Sequence, residues 1–353
     1  MIKIETFPPT PKKEKPIAII GAGGIVSDAH LPAYQKAGFE VKAVYDLNYQ
    51  KALKVQRQFK VGTTCKDLSE LIQVGIDEDC AFDLAVPASA ILKVLSDLPD
   101  GAGVLIQKPM GENIEQARAI LDLCRKKNLV AGINFQLRHA PYITAAKRII
   151  DLGPIGVLHD IDVRMNVYTP WHLWDFLFAL PRVEILYHSI HYIDMIRYFL
   201  GDPMGVYART TKHPNMKDLA SSRSAIILDY GDMIRANINT NHGHNFGLKH
   251  QESYFKFEGT KGAIKIRVGV NLDYPKGLPD QFEYIFLNDD KGWQKLALDG
   301  SWFPDAFIGP MAGLMCKLEN PDFKYINSVE DAIHTMEVVE KCYESNDMCR
   351  YIH

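Results

Sequence analysis

The feature that most constrains the fold of this chain is a short apolar run that ends on a cluster of glycines. Residues 15–24 read KPIAIIGAGG, and the apolar part is too short to form a helix. Such a run predicts a buried β-strand followed by a tight turn. A helical pattern then extends to about Ala37. The segment therefore has the order strand, turn, helix that is typical of α/β domains.

Strands and helices continue to alternate up to about residue 136. Amphipathic helical patterns separate further predicted strands at residues 40–46, 82–87, 103–109 and 130–134. This alternation predicts right-handed crossovers and a parallel sheet that is covered on both faces. We therefore expect an N-terminal α/β Rossmann domain over residues 1–136, in which residues 1–14 are a proline-rich leader.

The rest of the chain has longer strands of alternating polarity that hairpin turns connect. Helical patterns are expected at residues 186–200 and 329–343. We expect residues 137–353 to form an α+β C-terminal domain with a large mixed, mostly antiparallel sheet. One face of that sheet is expected to be open and too apolar to stay wet, which suggests a homodimer or homotetramer.

Composition narrows the classes of partner. The 353 residues include 40 Lys and Arg against 43 Asp and Glu, a net charge of −3, which makes nucleic acid a poor partner. No apolar run is long enough to span a membrane, and the N-terminus lacks the apolar core of a signal peptide. The six cysteines are scattered without a C-x-x-C pair, so reduced thiols and a cytoplasmic location are expected.

The glycine cluster is a candidate phosphate-binding loop because it lies between the first strand and the first helix. Gly21 permits the tight turn, and Gly23 lets the backbone approach a pyrophosphate at the helix N-terminus. Val26 occupies the slot of the third glycine, which serves helix packing and not phosphate contact. A plain glycine turn is the alternative. The predicted dinucleotide-binding residues of this loop are Gly21, Ala22, Gly23, Gly24 and Ile25.

Asp46 ends the second predicted strand, 25 residues after Gly21. An acidic residue near this place accepts hydrogen bonds from the adenine ribose in Rossmann domains. Its charge would repel a 2′-phosphate, and no arginine lies nearby to receive one, so NAD is expected in preference to NADP. The alternative is a solvated aspartate at the end of a strand.

Several further segments carry a family resemblance that spans nearly the whole chain. In these segments and in GAGGIV, the chain resembles the Gfo/Idh/MocA family of NAD(P)-dependent sugar and polyol oxidoreductases. It looks like a divergent member of that family. The segments are QKP at residues 107–109, NFQLRHAP at 134–141, HYIDMIRYFLG at 191–201, EGTKGAI at 258–264 and SVEDAIHTMEVVEKCYES at 328–345.

The resemblance implies a catalytic lysine and histidine. Lys108 matches the lysine of the family's Glu-Lys-Pro motif, while Gln107 replaces the glutamate and should lower the proton affinity of that lysine. In the motif D-x-G-x-H-x-x-D, His191 takes the histidine position, Tyr187 replaces the aspartate and Ser189 replaces the glycine. Either His191 takes the hydroxyl proton while Lys108 polarises the oxygen, or Tyr187 and Lys108 form the proton-transfer pair.

The resemblance also implies which other residues border the cofactor and the substrate. The aromatic loop of residues 168–175 is expected either to border the substrate pocket or to bury against a partner subunit. The remaining predicted cofactor contacts are Val86, Pro87, Ala88, Gln107, Lys108 and Asn134. The predicted substrate contacts are Lys108, Arg138, Tyr168, Trp171, Tyr187, His188 and His191.

A metal site is not expected from the sequence. His188, His191 and Asp194 are residue types that bind metals, but these offsets point to different faces of a helix and no H-E-x-x-H pattern accompanies them.

The expected activity is hydride transfer between NAD and a secondary hydroxyl or ketone of a small carbohydrate: a sugar, sugar acid or cyclic polyol. Two alternatives stay open at this point. One is a non-catalytic NAD-binding regulatory protein, and the other is an NAD-dependent glycosidase of the same fold.

Overall fold

The computed structural model describes residues 8–348, in two compact units. Residues 1–7 of the predicted leader, and Cys349, lie outside the described residues. The first unit extends to Ala140 and also includes Ser301–Met336. The second unit consists of Pro141–Gly300 and the stretch that begins at Glu337.

The first unit is built on a parallel sheet in the order β3-β2-β1-β4-β5-β6. This is the strand order of a Rossmann fold, so the predicted fold of the N-terminal region is confirmed. Its strands are β1 (Ile17–Ile20), β2 (Val41–Tyr45), β3 (Thr63–Thr64), β4 (Ala81–Leu84), β5 (Gly103–Ile106) and β6 (Val130–Ile133).

Helices connect these strands, as parallel pairing requires. The helices are α1 (Leu31–Ala37), α2 (Tyr49–Phe59), α3 (Leu68–Asp77), α4 (Ile91–Asp97) and α5 (Ile114–Lys126). A π-helical turn, Val26–His30, leads into α1. Three starts are fixed by side-chain caps, which satisfy backbone N–H groups that the first helical turn leaves unpaired. The capping residues are Asn48, Asp67 and Asn113.

Residues 301–336 belong to the first unit because they complete its apolar core. Helix α8 (Ile308–Glu319) contacts β5 and β6, and its Met311 and Leu314 are buried in the same cluster as Ile17. The sequence analysis placed one domain boundary at residue 136, whereas the compact units do not follow a single boundary. It also missed α8, whose Gly309, Pro310 and Gly313 weaken the helical signal.

The second unit is built on an eight-stranded sheet in the order β14-β13-β12-β11-β7-β10-β9-β8. Only the pair β7–β10 is parallel among these neighbours, so the predicted mixed, mostly antiparallel sheet is confirmed. Its strands are β7 (Leu158–Asn166), β8 (Gly205–Thr211), β9 (Arg223–Asp229), β10 (Arg235–Asn241), β11 (Glu252–Gly259), β12 (Gly262–Arg267), β13 (Gln281–Phe286) and β14 (Gln294–Leu296).

Three helices accompany this sheet along the chain. They are α6 (Pro141–Leu152), α7 (Ile190–Leu200) and α9 (Val329–Asp347). Helix α9 begins in the first unit and continues into the second at Glu337. Within residues 8–348, no helix combines the length and the apolar character needed to cross a membrane.

The open face of the second sheet is mostly polar, which differs from the expectation of an apolar face. Alternate residues such as Ile238 and Phe255 are buried on the other face. On the open face, Asp162 accepts hydrogen bonds from Asn237 Nδ2 at 2.5 Å and from the Tyr254 hydroxyl at 2.9 Å. Cross-strand polar pairs satisfy one another there, so apolar burial no longer supports the predicted homo-oligomer.

The role of α8 predicts an unequal response to one substitution at two sites. Leu314→Ala removes a fully buried side chain and should lower the free energy of unfolding by about 2–5 kcal/mol. Leu47→Ala removes the same atoms from a side chain that is 95% exposed and should change it by less than about 0.5 kcal/mol. Urea denaturation of both variants measures the difference, and equal losses would contradict the placement of α8.

Candidate active site

The glycine loop between β1 and the first helix has a conformation that requires glycine at one position. Gly21 has a φ of +107°, and a Cβ there would lie 2.3 Å from the carbonyl oxygen of Ala85. A Cβ on Gly23 would meet no protein atom within 4 Å, so the backbone at Gly23 borders open space. Val26 is fully buried in the core of the first unit. The loop therefore has the space and the packing that the sequence analysis assigned to a dinucleotide loop.

Asp46 fixes the same loop from the end of β2. One carboxylate oxygen accepts a hydrogen bond from the Ala22 N–H at 2.8 Å, and the other accepts one from the Asn48 N–H at 2.8 Å. The Asp46 side chain is only partly buried. A carboxylate oxygen can accept more than one hydrogen bond, so these contacts leave Asp46 able to bind a further donor.

The predicted cofactor residues of the later strands lie at one edge of the sheet. Ladder hydrogen bonds continue just past the strand ends, from Ala85 N to Ile20 O, from Gln107 N to Leu84 O and from Asn134 N to Ile106 O, each at 2.8 Å. Since all these strands are parallel, their carboxyl ends meet at the same edge, where ligands bind in open α/β sheets. The residues of this edge are Gly21–Ile25, Val86–Ala88, Gln107, Lys108 and Asn134.

Lys108 is the cationic side chain that follows β5 at this edge. It is partly buried, and burial lowers the pKa of its ammonium group from its usual value of 10.5 to about 8. Its backbone N–H donates a hydrogen bond to Gln107 Oε1 at 2.7 Å. A lysine with such a pKa changes its charge close to neutral pH, which suits a group that acts on a proton.

The side-chain nitrogen of Gln107 contacts a buried histidine, His30, which was not among the predicted site residues. His30 Nδ1 lies 2.7 Å from Asp83 Oδ2, and the Tyr34 hydroxyl donates to the same oxygen at 2.8 Å. His30 Nε2 lies 3.1 Å from Gln107 Nε2 and 3.3 Å from Asn134 Nδ2. The tautomer with its proton on Nδ1 satisfies every contact, because Nε2 then accepts from the two amides.

This network explains the change from glutamate to glutamine in the motif. The Gln107 amide donates through Nε2 towards His30 Nε2 while its Oε1 accepts from the Lys108 N–H, whereas an ionised glutamate could only accept. The sequence did contain a signal for the network. Asp83 lies in the apolar strand FDLAVP, where an acidic residue needs a buried partner.

The side chain of Arg138 forms an ion pair and a hydrogen bond within the first unit. Its guanidinium is 4% exposed, lies 2.6 Å from Asp331 Oδ2 and donates to the Ile326 carbonyl at 2.5 Å. These contacts fix the segment before α9. The predicted contact of Arg138 with the substrate stays a prediction.

In the second unit, the segment that resembles the family's histidine motif begins with a π-helical turn. Residues Glu184–Ser189 form that turn and α7 follows at Ile190, whereas the sequence analysis assumed a single α-helix from residue 186. The α-helical offset assumed between His188 and His191 therefore does not apply. Tyr187 and His188 are partly exposed, His191 is 7% exposed and Asp194 is fully buried.

The aromatic loop lies mainly against its own unit. Trp171 is 5% exposed and packs edge-on against His188 and His242, with ring centroids 6.4 and 5.2 Å apart. Phe176 packs against Tyr187 in the same way. Tyr168 stays partly exposed. Trp171 thus anchors the loop, and the expectation that the loop borders the substrate pocket or a partner subunit stays a prediction.

Comparisons with known proteins match both halves of the chain. Residues 15–135 match the family model described as oxidoreductase family, NAD-binding Rossmann fold, and residues 143–265 match the GFO/IDH/MocA C-terminal domain. Glucose-6-phosphate 3-dehydrogenase of Bacillus subtilis is 24% identical over 94% of this chain and 96% of that protein. 1,5-Anhydro-D-fructose reductase of Ensifer adhaerens is 23% identical over 80% of this chain and 82% of that protein.

Solved structures share the fold over nearly the full length. An oxidoreductase from Agrobacterium radiobacter, solved in complex with NAD+, L-tartaric acid and magnesium, gives a TM-score of 0.79 at 19% identity. That match covers 96% of this chain and 98% of the other.

The glycine loop predicts a difference between two Gly→Ala variants. Gly38 also has a positive φ, +80°, but a Cβ there meets nothing within 4 Å, so Gly38→Ala should cost about 1–2 kcal/mol of stability. Gly21→Ala adds the overlap with Ala85 and should cost several kcal/mol, on the order of an overpacked core site. Chemical denaturation compares the two; a Gly21→Ala loss no larger than that of Gly38→Ala would refute the described turn.

Proposed function

Because the chain belongs to the Gfo/Idh/MocA oxidoreductase family, we propose that it transfers hydride between NAD and a secondary hydroxyl or ketone of a sugar, sugar acid or cyclic polyol. The observation that carries this proposal is the meeting of the glycine loop, Lys108 and Asn134 at one edge of the parallel sheet. The names of the curated relatives, a hexose phosphate dehydrogenase and an anhydrosugar reductase, support the substrate class.

The residues of the sheet edge fit a dinucleotide. Gly23 leaves open space where the backbone can approach a pyrophosphate, and the first helical turn supplies N–H groups for an anion. Asp46 would accept hydrogen bonds from the adenine ribose while its charge disfavours a 2′-phosphate, so we propose NAD in preference to NADP. Val86–Ala88, Gln107 and Asn134 would border the nicotinamide side.

Lys108, His191 and Tyr187 are the proposed catalytic residues. The bound cofactor supplies the hydride acceptor or donor. The ammonium group of Lys108 would polarise the substrate oxygen, and the imidazole of His191 would take the hydroxyl proton. Tyr187 stands in the place of the family's aspartate, where its hydroxyl would bind the substrate or exchange the proton with Lys108. The remaining proposed substrate contacts are Arg138, Tyr168, Trp171 and His188.

His30 is a proposed positioning residue for this reaction. Asp83 orients the imidazole, His30 Nε2 orients the Gln107 amide, and Gln107 in turn holds the backbone of Lys108. Each link is buried or partly buried, which limits competition from water.

The activity is tested with a panel of sugars and inositols in the presence of NAD or NADP. The wild-type protein should form NADH, followed by near-ultraviolet absorbance, and should prefer NAD. Lys108→Ala should lower kcat by about a hundredfold or more, as loss of one preorganised donor does, with NAD affinity largely kept. The exposed lysine variant Lys93→Ala is the control.

Other outcomes would identify the alternatives. NAD binding without turnover on any substrate would favour a regulatory protein, and glycoside cleavage without net NADH would favour a glycosidase. Normal turnover by Lys108→Ala would remove Lys108 from the catalytic residues.

The pKa of Lys108 near 8 predicts the pH dependence of oxidation. If the charged lysine polarises the oxygen, kcat/KM should be at its maximum below pH 8. It should fall as the pH rises through 8, because the ammonium group then loses its proton. Gln107→Glu adds a negative charge beside Lys108 and should raise the pKa of Lys108. The decrease in kcat/KM should then occur at higher pH. A wild-type rate that increases through pH 8 would instead make Lys108 the base.

A further inference from the structure

Three ligand-type side chains converge in the second unit, apart from the proposed catalytic residues. Glu184 and His188 belong to the π-helical turn before α7, and His242 directly follows β10. One ligand atom from each lies within 4.8 Å of the others. Glu184 and His242 are fully buried, while His188 is partly exposed.

The spacing within the cluster matches that of metal ligands. Glu184 Oε1 lies 3.3 Å from His242 Nε2. Two atoms that each lie about 2.1 Å from a tetrahedral ion are about 3.4 Å apart. The His188 and His242 ring centroids are 4.2 Å apart, and a nitrogen of His188 lies within 4.8 Å of the ligand atoms of Glu184 and His242.

Outer hydrogen bonds hold the two buried ligands in place. Thr169 Oγ1 lies 2.8 Å from His242 Nδ1, which leaves His242 Nε2 directed at Glu184. The Ser189 hydroxyl donates to Glu184 Oε1 at 2.7 Å, and the Ser224 hydroxyl donates to Glu184 Oε2. Ligand histidines and carboxylates in metal sites are oriented by partners of this kind.

We propose that Glu184, His188 and His242 bind one divalent transition-metal ion, with Zn²⁺ as the best fit, through a carboxylate oxygen and one imidazole nitrogen of each histidine. Two nitrogens and one oxygen are a Zn²⁺ donor set, whereas Mg²⁺ and Ca²⁺ prefer oxygen ligands. Three protein ligands leave a fourth position for water or a substrate oxygen.

The sequence analysis expected no metal because it considered His188 with His191 and Asp194. The fold instead joins His188 to Glu184, four residues earlier, and to His242, which comes from a distant strand. His188 is also a proposed substrate contact, so the test measures metal content and not turnover, and its failure would leave the proposed hydride transfer unaffected.

The test measures metal content directly. The full chain is purified without a histidine tag, incubated with excess Zn²⁺, dialysed and analysed by mass spectrometry of the metal. The wild-type protein should retain about one equivalent, and His188→Gln should retain less than a fifth of that. His250→Gln, which removes an exposed histidine elsewhere in the same unit, is the matched control and should bind like the wild type.

A spectroscopic and a thermal measurement complete the test. Co²⁺ should give visible absorption bands of a four-coordinate site in the wild type and not in His188→Gln. Zn²⁺ should raise the Tm of the wild type, because it binds only the folded site, and should leave the Tm of His188→Gln unchanged. Wild-type content below a tenth of an equivalent, or equal content in wild type and His188→Gln, would overturn the proposal and leave Glu184 and His242 as a buried pair. NAD binding is measured in parallel, so a defect there is seen separately.

Discussion

The shared direction of the strands in the first unit is the constraint on which the site depends. Because β1, β4, β5 and β6 are parallel neighbours, the chain leaves each of them at the same edge. The glycine loop, Val86–Ala88, Lys108 and Asn134 are therefore brought together by backbone pairing before any side chain contributes. An antiparallel sheet with the same residues would send half of them to the opposite edge.

The side chain that precedes Lys108 at this edge is neutral. Asp83 Oδ2 contacts His30 and accepts from the Tyr34 hydroxyl, and Gln107 links His30 to the backbone of Lys108 without adding a charge. Lys108 is then held partly buried, with no carboxylate supplied by residue 107, and its pKa lies well below its usual value as a result of burial. The departure from the family motif at residue 107 is thus chemically consistent with its surroundings.

Features of the fold that depend on local pattern could be predicted from the sequence. The strand–glycine–helix start and the position of Asp46 follow from residues close together in the chain, and the structure places them as expected. Contacts across the chain could not be predicted. The pairs His30–Asp83 and Glu184–His242 join residues that are 53 and 58 positions apart. The π-helical turn before α7 was missed because an apolar helical pattern does not distinguish i+4 from i+5 hydrogen bonding.

The return of α8 to the first sheet has a consequence for how the protein is made. Its Met311, Leu314 and Met315 share a core with Ile17 and Val44, from the first two strands. During synthesis the N-terminal strands emerge from the ribosome long before that helix exists. The nucleotide-binding half cannot reach its final packing until most of the other half has been translated, so a fragment that stops at residue 140 would expose an apolar surface.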